Sequence, residues 1–163
     1  MPEKQSYFGS HPDDAHFGEY ATLAELRKQS DAEAMQWLTA QLAELSSFSG
    51  SKNMDVRQLR MTAITLATEY PWMKWSEYML FFYRFKAGRY GKFYGAVDPL
   101  VITTAMQDFA RERNEAWFRH EQEEREERKR REAEANPPMS YEEYSKRNGV
   151  KKRNPLETIK RNL

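Results

Sequence analysis

Residues 75–95 read WSEYMLFFYRFKAGRYGKFYG, an aromatic and basic run that is broken by three glycines near its end. Residues 81–95 alone hold seven aromatic side chains, four basic ones and no acid, although the whole chain has a formal net charge of only +1. Apolar residues recur at helical spacing from Trp75 to Phe85, and Gly88 stands where a left-handed residue ends a helix. Because both faces carry apolar side chains, we expect this helix to be buried between neighbours or to expose an adhesive patch.

The flanking sequence also carries helix signals and shows no β alternation. Asp98-Pro99 is a strong start for a long helix, because Asp caps the helix and Pro needs no hydrogen-bond acceptor at its first position. Capping patterns also begin helices at Thr22, Ser30 and Ser140. We therefore predict an all-α fold: a compact bundle of four to five helices, with a long, charged, protruding fifth helix and a flexible basic C-terminal tail.

Composition divides the chain into four predicted regions. Residues 1–19 mix Pro, Gly, Ser, Asp and His without periodicity and are predicted to be a disordered or extended lead-in. Residues 20–118 form the helical core domain, and residues 137–163 form a short helix and basic tail. Residues 119–136 are predicted to be an exposed charged helix extension, where Glu and Arg four residues apart stabilise the helix by about 0.2–0.5 kcal/mol per pair.

Several function classes are excluded or disfavoured by the composition. The chain has no cysteine, which excludes disulfides and thiolate ligands and fits a reducing, cytoplasmic location. No apolar run approaches the roughly 20 residues that cross a bilayer, so no membrane association is expected. No phosphate-binding loop is present, His120 has no evident nucleophile beside it, and the His11–His16 segment matches no metal motif. We expect no enzyme activity, no cofactor and no metal.

The segment from 81 to 95 is the best candidate for nucleic-acid binding. Aromatic rings can stack on bases while nearby cations neutralise phosphates, and this combination favours single strands. A buried core helix followed by an aromatic-packed loop would explain the same residues, and so would a groove for a protein partner. The candidate contacts are Arg84, Lys86, Arg89, Tyr90, Lys92 and Tyr94.

Other residues are candidates for docking a protein partner. Trp117 and Phe118 lie at the root of the charged helix, where they either pack on the core or offer an exposed anchor. Leu156 and Ile159 lie in the basic tail and could form an amphipathic turn on binding. The tail itself is a generic polyanion-attracting tract.

The central motif resembles a family of small uncharacterised α-helical proteins from Bacteroidetes genomes, prophages and mobile elements, over roughly residues 54–118. The shared pattern is S-E, then F-K-x-G-x-Y-G-x-F-Y-G, then D-P and a helix that ends in R. It is carried here by Ser76, Glu77, Phe85, Lys86, Gly88, Tyr90, Gly91, Phe93, Tyr94, Gly95, Asp98, Pro99 and Arg113. The family brings no established activity, but its setting implies an accessory role in replication or DNA maintenance, beside a replication protein partner.

These observations lead to one main expectation and two rivals. The main one is a non-enzymatic accessory protein that binds nucleic acid through the glycine-punctuated basic-aromatic loop. The first rival is a protein–protein adaptor that docks through the long charged helix and the C-terminal segment. The second is a structural or assembly component of a phage-like element.

Overall fold

The structure is a computed structural model that describes residues 2–48, 52–91 and 97–149. These ranges contain eight helices and no strand, which confirms the all-α prediction. The chain divides into two units, Met1–Arg119 and His120–Leu163, with the boundary inside the seventh helix. The helices are α1 (Pro2–Ser10), α2 (Pro12–Phe17), α3 (Leu23–Gln29), α4 (Asp31–Phe48), α5 (Val56–Glu69), α6 (Trp75–Lys86), α7 (Pro99–Ala135) and α8 (Tyr141–Arg147).

Helix α6 lies at the centre of the first unit. Helices α1, α2 and α4 pack on it, and its buried residues point in every direction around the helix axis. Phe81 packs edge-on against Phe109 of α7, with ring centroids 5.6 Å apart. Apart from the exposed Tyr83, the apolar side chains on both faces of α6 therefore belong to the core or pack against it. Of the two expectations for this helix, the buried one is confirmed.

The prediction of a disordered or extended lead-in over residues 1–19 is wrong. Residues 2–10 and 12–17 form α1 and α2, and Phe8 and Ala15 are buried against the rest of the core. Pro12 stands in the first turn of α2, where a missing N–H costs nothing. Helices this short have little stability of their own, so packing on α6 stabilises them. With them, the first unit has more helices than the four to five expected.

Helix starts follow the predicted capping residues. Thr22 and Glu25 form a capping box at α3, and Ser140 and Glu143 form one at α8. The Asp98 carboxylate accepts a hydrogen bond from the backbone N–H of Val101, 2.8 Å away, at the start of α7. Each such cap satisfies amides that the helix itself leaves free.

Helix α7 runs unbroken from Pro99 to Ala135, as predicted. All of its buried residues lie in its first twelve positions and belong to the first unit. Within the second unit the helix is held by local charge pairs, such as the Arg131–Glu127 ion pair. Arg130 lies 3.9 Å from Glu134, four residues after it, rather than pairing with Glu126, four residues before it. None of the helices in the described part of the chain is both long enough and apolar enough to cross a membrane.

Candidate functional site

The two arginines of the basic-aromatic segment share one carboxylate. Arg84 donates from Nη1 to Oε2 of Glu112 at 3.0 Å, and Arg89 donates from Nε to Oε1 of the same residue at 3.2 Å. The Arg84 guanidinium also lies 5.7 Å from the ring centroid of Phe109. Both guanidinium groups thus bind the same carboxylate of α7, which balances one of their two positive charges.

Lys86 is also paired. Its ammonium forms an ion pair with Glu44 of α4 and donates to the side-chain oxygen of Gln5, 2.9 Å away. Gln5 in turn donates to Gln41, also at 2.9 Å, so that a polar network links α1, α4 and α6. The lysine joins three helices and offers no free charge to a ligand.

Tyr90 contacts both the core and Glu112. Its ring stacks on Phe81 at 5.9 Å between centroids, and its hydroxyl donates to Glu112 at 3.4 Å. Burial, and then the neighbouring Glu112 carboxylate, raise the pKa of the Tyr90 phenol, which keeps it protonated as a donor. Lys92 and Tyr94 lie outside the described residues.

Among the candidate contacts, Arg84, Lys86 and Arg89 are therefore paired with acids of the chain itself. Sequence spacing could not show this, because the acids that pair with them lie 23 to 42 residues away in the chain. Nucleic-acid binding by the whole chain stays a prediction, but the four expected contacts that the structure describes already bind carboxylates of the chain.

A buried charge centre lies at the opposite end of α6. We call it the Glu77 centre; it consists of His16, the backbone N–H of Lys74, Glu77, Arg113 and Trp117. Glu77 has no exposed surface, and its Oε1 accepts from His16 Nδ1 at 2.9 Å, Arg113 Nε at 2.9 Å and Trp117 Nε1 at 3.3 Å. Its Oε2 accepts from the backbone N–H of Lys74 at 3.0 Å. The carboxylate thus joins α2, α6 and α7.

The ionisation of Glu77 is set by these donors. Burial alone would raise the pKa of the carboxyl, but the hydrogen bonds from His16 and the Lys74 amide, together with the charge of Arg113, outweigh it. The pKa of Glu77 is consequently held below its usual value, and the group is a carboxylate in the folded protein.

Tryptophan rings bracket the cations of the Glu77 centre. The Arg113 guanidinium lies 4.6 Å from the ring centroid of Trp72 and 4.9 Å from that of Trp117. Lys74 lies 5.1 Å from the Trp117 centroid and donates to the backbone oxygens of His16 and Gly18, both at 2.8 Å. Every charge here is used to join helices, so the centre holds the fold rather than a ligand.

Sequence reasoning missed the Glu77 centre. His16 falls in the predicted disordered or extended lead-in, whereas in the structure it is buried against a residue 61 positions away. One signal was available: Glu77 is the single charged residue in the aromatic run from Trp75 to Tyr83. A buried acid needs a partner, so this position pointed to a distant cation or donor.

The predicted docking residues have different environments. Trp117 is half-buried and bonded into the Glu77 centre, with its ring edge-on to Phe17 at 5.1 Å, so it packs on the core. Phe118 leaves 63% of its surface exposed and stays a candidate anchor. Leu156 and Ile159 lie outside the described residues.

An apolar concavity of the first unit lies between α1, α3, α4 and α6. We call it the tryptophan groove; it has a volume of about 310 Å³. Trp37, Trp75 and Met79 form its apolar surface together with Leu26 and Ala34, and its rim is polar. The rim consists of Lys4, Gln29, Ser30 and Glu33. Sequence reasoning assigned Trp75 to the core stripe and did not find this site, because four separate helices build it.

The groove keeps unused polar groups. The indole N–H groups of Trp37 and Trp75 make no hydrogen bond within the described part of the chain, and both side chains are partly buried. The Lys4 ammonium lies 5.0 Å from the Trp75 ring centroid, a cation–π contact. Apolar concavities with a few free polar groups are the usual form of a ligand site.

The fold and these sites define an all-α module in which Arg84, Lys86 and Arg89 bind carboxylates of the chain itself and a tryptophan-lined groove lies on the first unit. The chain belongs to DUF6633, a family of unknown function, whose model matches residues 53–155, more than half of the chain. The resemblance to an uncharacterised family is confirmed to that extent. A search of curated proteins found no match, and a search of solved structures found none either.

Proposed function

We propose that the protein is a non-enzymatic adaptor that binds a segment of another protein in the tryptophan groove. The observation that carries this proposal is the groove itself: two partly buried tryptophans, whose indole N–H groups make no hydrogen bond among the described residues, line one apolar concavity. Tryptophan is enriched among the residues that contribute most to binding between proteins. The indole donors suit the carbonyl groups of a peptide backbone.

Nucleic-acid binding is the weaker of the two candidate functions. Nucleic-acid binding needs cations that are available to contact the phosphate groups. Arg84, Lys86 and Arg89 already bind carboxylates of this chain. A nucleic acid would have to compete with Glu44 and Glu112 for them. Protein docking requires no such exchange.

The resemblance to proteins of Bacteroidetes prophages and mobile elements suggests a setting for such an adaptor. It would act in the cytoplasm and bring a replication or DNA-maintenance protein to its place, or join a phage-type assembly. Either setting calls for protein recognition, and neither requires this chain to touch DNA itself.

Selection from a random peptide display library with the full chain as bait tests the adaptor. We expect enriched peptides whose binding is lost in Trp37→Ala and in Gln29→Trp, which adds a ring at an exposed rim position and fills the groove. The matched control is Met61→Ala, an exposed apolar residue on α5 that does not line the groove. Phe118→Ala tests the rival anchor on α7.

The outcomes of these experiments distinguish docking in the tryptophan groove from docking at Phe118 on α7. Peptide binding that survives Gln29→Trp but is lost in Phe118→Ala would move docking to α7 and reject the groove. The absence of any enriched peptide would reject the adaptor as proposed here. Nucleic acid is tested by anisotropy of single- and double-stranded oligonucleotides at two salt concentrations. Tight, salt-sensitive binding that disappears when Arg84, Arg89 and Lys92 are replaced by Ala would restore the nucleic-acid function.

A further inference from the structure

We propose that the tryptophan groove selects a peptide in which a bulky apolar residue lies between an acidic and a basic residue, in a defined direction. The acid faces Lys4 beside Trp75, and the base faces Glu33 beside Trp37. This inference rests on the proposed adaptor function and specifies the chemistry of its partner.

The direction follows from where the two rim charges lie. Lys4, on α1, is held over the Trp75 ring at 5.0 Å from its centroid. Glu33 precedes Trp37 by four residues on α4, which places the two side chains on the same helix face. The groove therefore has a cation associated with one tryptophan and an anion associated with the other.

Both rim charges are free to bind a ligand. Neither Lys4 nor Glu33 takes part in an ion pair among residues 2–48, 52–91 and 97–149, and both are exposed. Other charges around these helices are paired, for example Arg27 with Asp31 at 2.6 Å and Lys86 with Glu44. Two unpaired charges of opposite sign on one apolar groove favour an occupant with the complementary arrangement.

The volume limits the occupant to a short segment. About 310 Å³ lies at the lower end of the range for ligand sites, which accommodates one large side chain and the backbone beside it. Leu26 and the rings of Trp37 and Trp75 provide the apolar contact for that side chain. The free indole N–H groups and the Gln29 amide can bind the carbonyl groups on either side of it.

This recognition belongs to the N-terminal part of the chain rather than to the family segment. Among the groove residues only Trp75 and Met79 lie within residues 53–155, which the family model matches. The two rim charges and Trp37 precede that segment. Peptide preference is therefore a feature of this chain that family membership does not imply.

Charge reversal in the full chain tests the inference. The display selection is repeated with Lys4→Glu, Glu33→Lys and the double variant, and binding of the best wild-type peptide is measured by fluorescence anisotropy. We expect each single reversal to weaken that peptide roughly tenfold, because like charges then meet at the rim. The double variant should bind a peptide with the acid and base exchanged and discriminate against the original. Lys28→Glu is the matched control, since Lys28 is exposed on α3 and does not line the groove.

Two results would overturn the proposal in distinguishable ways. Peptides that share an apolar anchor and need Trp37, but show no charge preference and bind the double variant equally, would reject the charge pattern and leave the adaptor standing. Wild-type selection that enriches no peptide over the Gln29→Trp variant would reject the adaptor and this inference together. Circular dichroism of each variant checks that a loss of binding does not come from a loss of folding. Lys4, Lys28 and Glu33 are all exposed, so their substitution should leave the helices intact.

Discussion

The Glu77 centre and the tryptophan groove use the same residue types for different ends. Each combines a glutamate and a lysine or arginine with tryptophan rings that lie beside them, within one helical unit. In the Glu77 centre every charge is bonded and the carboxylate is buried, whereas in the groove Lys4 and Glu33 are exposed and unpaired among the described residues. The comparison teaches that the availability of a charge, and not its presence in an aromatic setting, decides whether it can serve a ligand.

The basic-aromatic segment falls between these two extremes. Arg84 and Arg89 are paired through Glu112, but that carboxylate is partly exposed, as is the Arg89 side chain. Pairs of this kind contribute little to stability and can be exchanged for other partners more readily than buried ones. The three regions therefore form a series from structural to available charge, which substitutions can test.

The largest effect is expected at the Glu77 centre. Glu77→Gln keeps the side-chain shape but leaves Arg113 without its counter-charge in a buried setting, so the free energy of unfolding should fall by about 3–5 kcal/mol. Urea unfolding measures it. Glu33→Gln in the groove is the control and should change stability by no more than about 0.5 kcal/mol. Equal effects at the two positions would abolish the distinction between them.

The free energy of unfolding contributed by the Glu77 centre should also depend on pH. The pKa of Glu77 lies below its usual value of 4.5 in the folded state, so the folded protein binds fewer protons here than the unfolded chain. The contribution of Glu77 is therefore complete above about pH 4.5 and is lost as the pH falls through the folded-state value. Unfolding free energies measured from neutral to acid pH should fall more steeply for the wild type than for Glu77→Gln. Parallel curves would show that this carboxyl is not held ionised by its donors.

A smaller effect should appear when the paired arginines are released. Glu112→Gln removes the counter-charge of Arg84 and Arg89 and should cost about 1 kcal/mol or less, since these groups are partly exposed. The variant should gain weak affinity for a single-stranded oligonucleotide, which anisotropy at low and moderate salt would detect. Glu115→Gln, an exposed acid on the same helix, should gain nothing. If Glu112→Gln behaves like this control, the two arginines are unsuited to phosphate even when free.

The smallest effect is expected in the second unit. Glu127→Gln removes the ion pair with Arg131 and should weaken the surrounding helix by about 0.3 kcal/mol. Hydrogen exchange of the amides around this turn should become slightly faster at low salt, and the difference should disappear at high salt because exposed charges are screened. A difference that persists at high salt would show that the pair acts through something other than charge.

Local signals made much of the fold predictable. The helix start at Asp98-Pro99, the capping boxes at Thr22 and Ser140, and the left-handed Gly88 all depend on a few adjacent residues. Helix α7 was predictable for the same reason. Its charged part needs no distant contact to remain helical.

The functional residues depend on distant contacts, and sequence spacing carries no record of these. His16 meets Glu77 across 61 positions and Arg84 meets Glu112 across 28, so neither the buried centre nor the loss of free cations could be derived. The groove needs the packing of α1 against α6 and of α3 against α4. Its N-terminal side comes from α1, whose nine residues gave no periodicity strong enough to predict a helix.

Helices α1 and α2 pack on α6 but lie outside the segment that the family model matches. Phe8 lies edge-on to Trp75 at 5.5 Å, and Ser76 donates to the backbone oxygen of Ala15 at 2.7 Å. A fragment limited to the family-matched residues 53–155 would lack α1 and α2 and would expose the N-terminal end of α6 to solvent. The segment that the family model matches is thus too short to fold with α6 covered, and any excised version should keep α1 and α2.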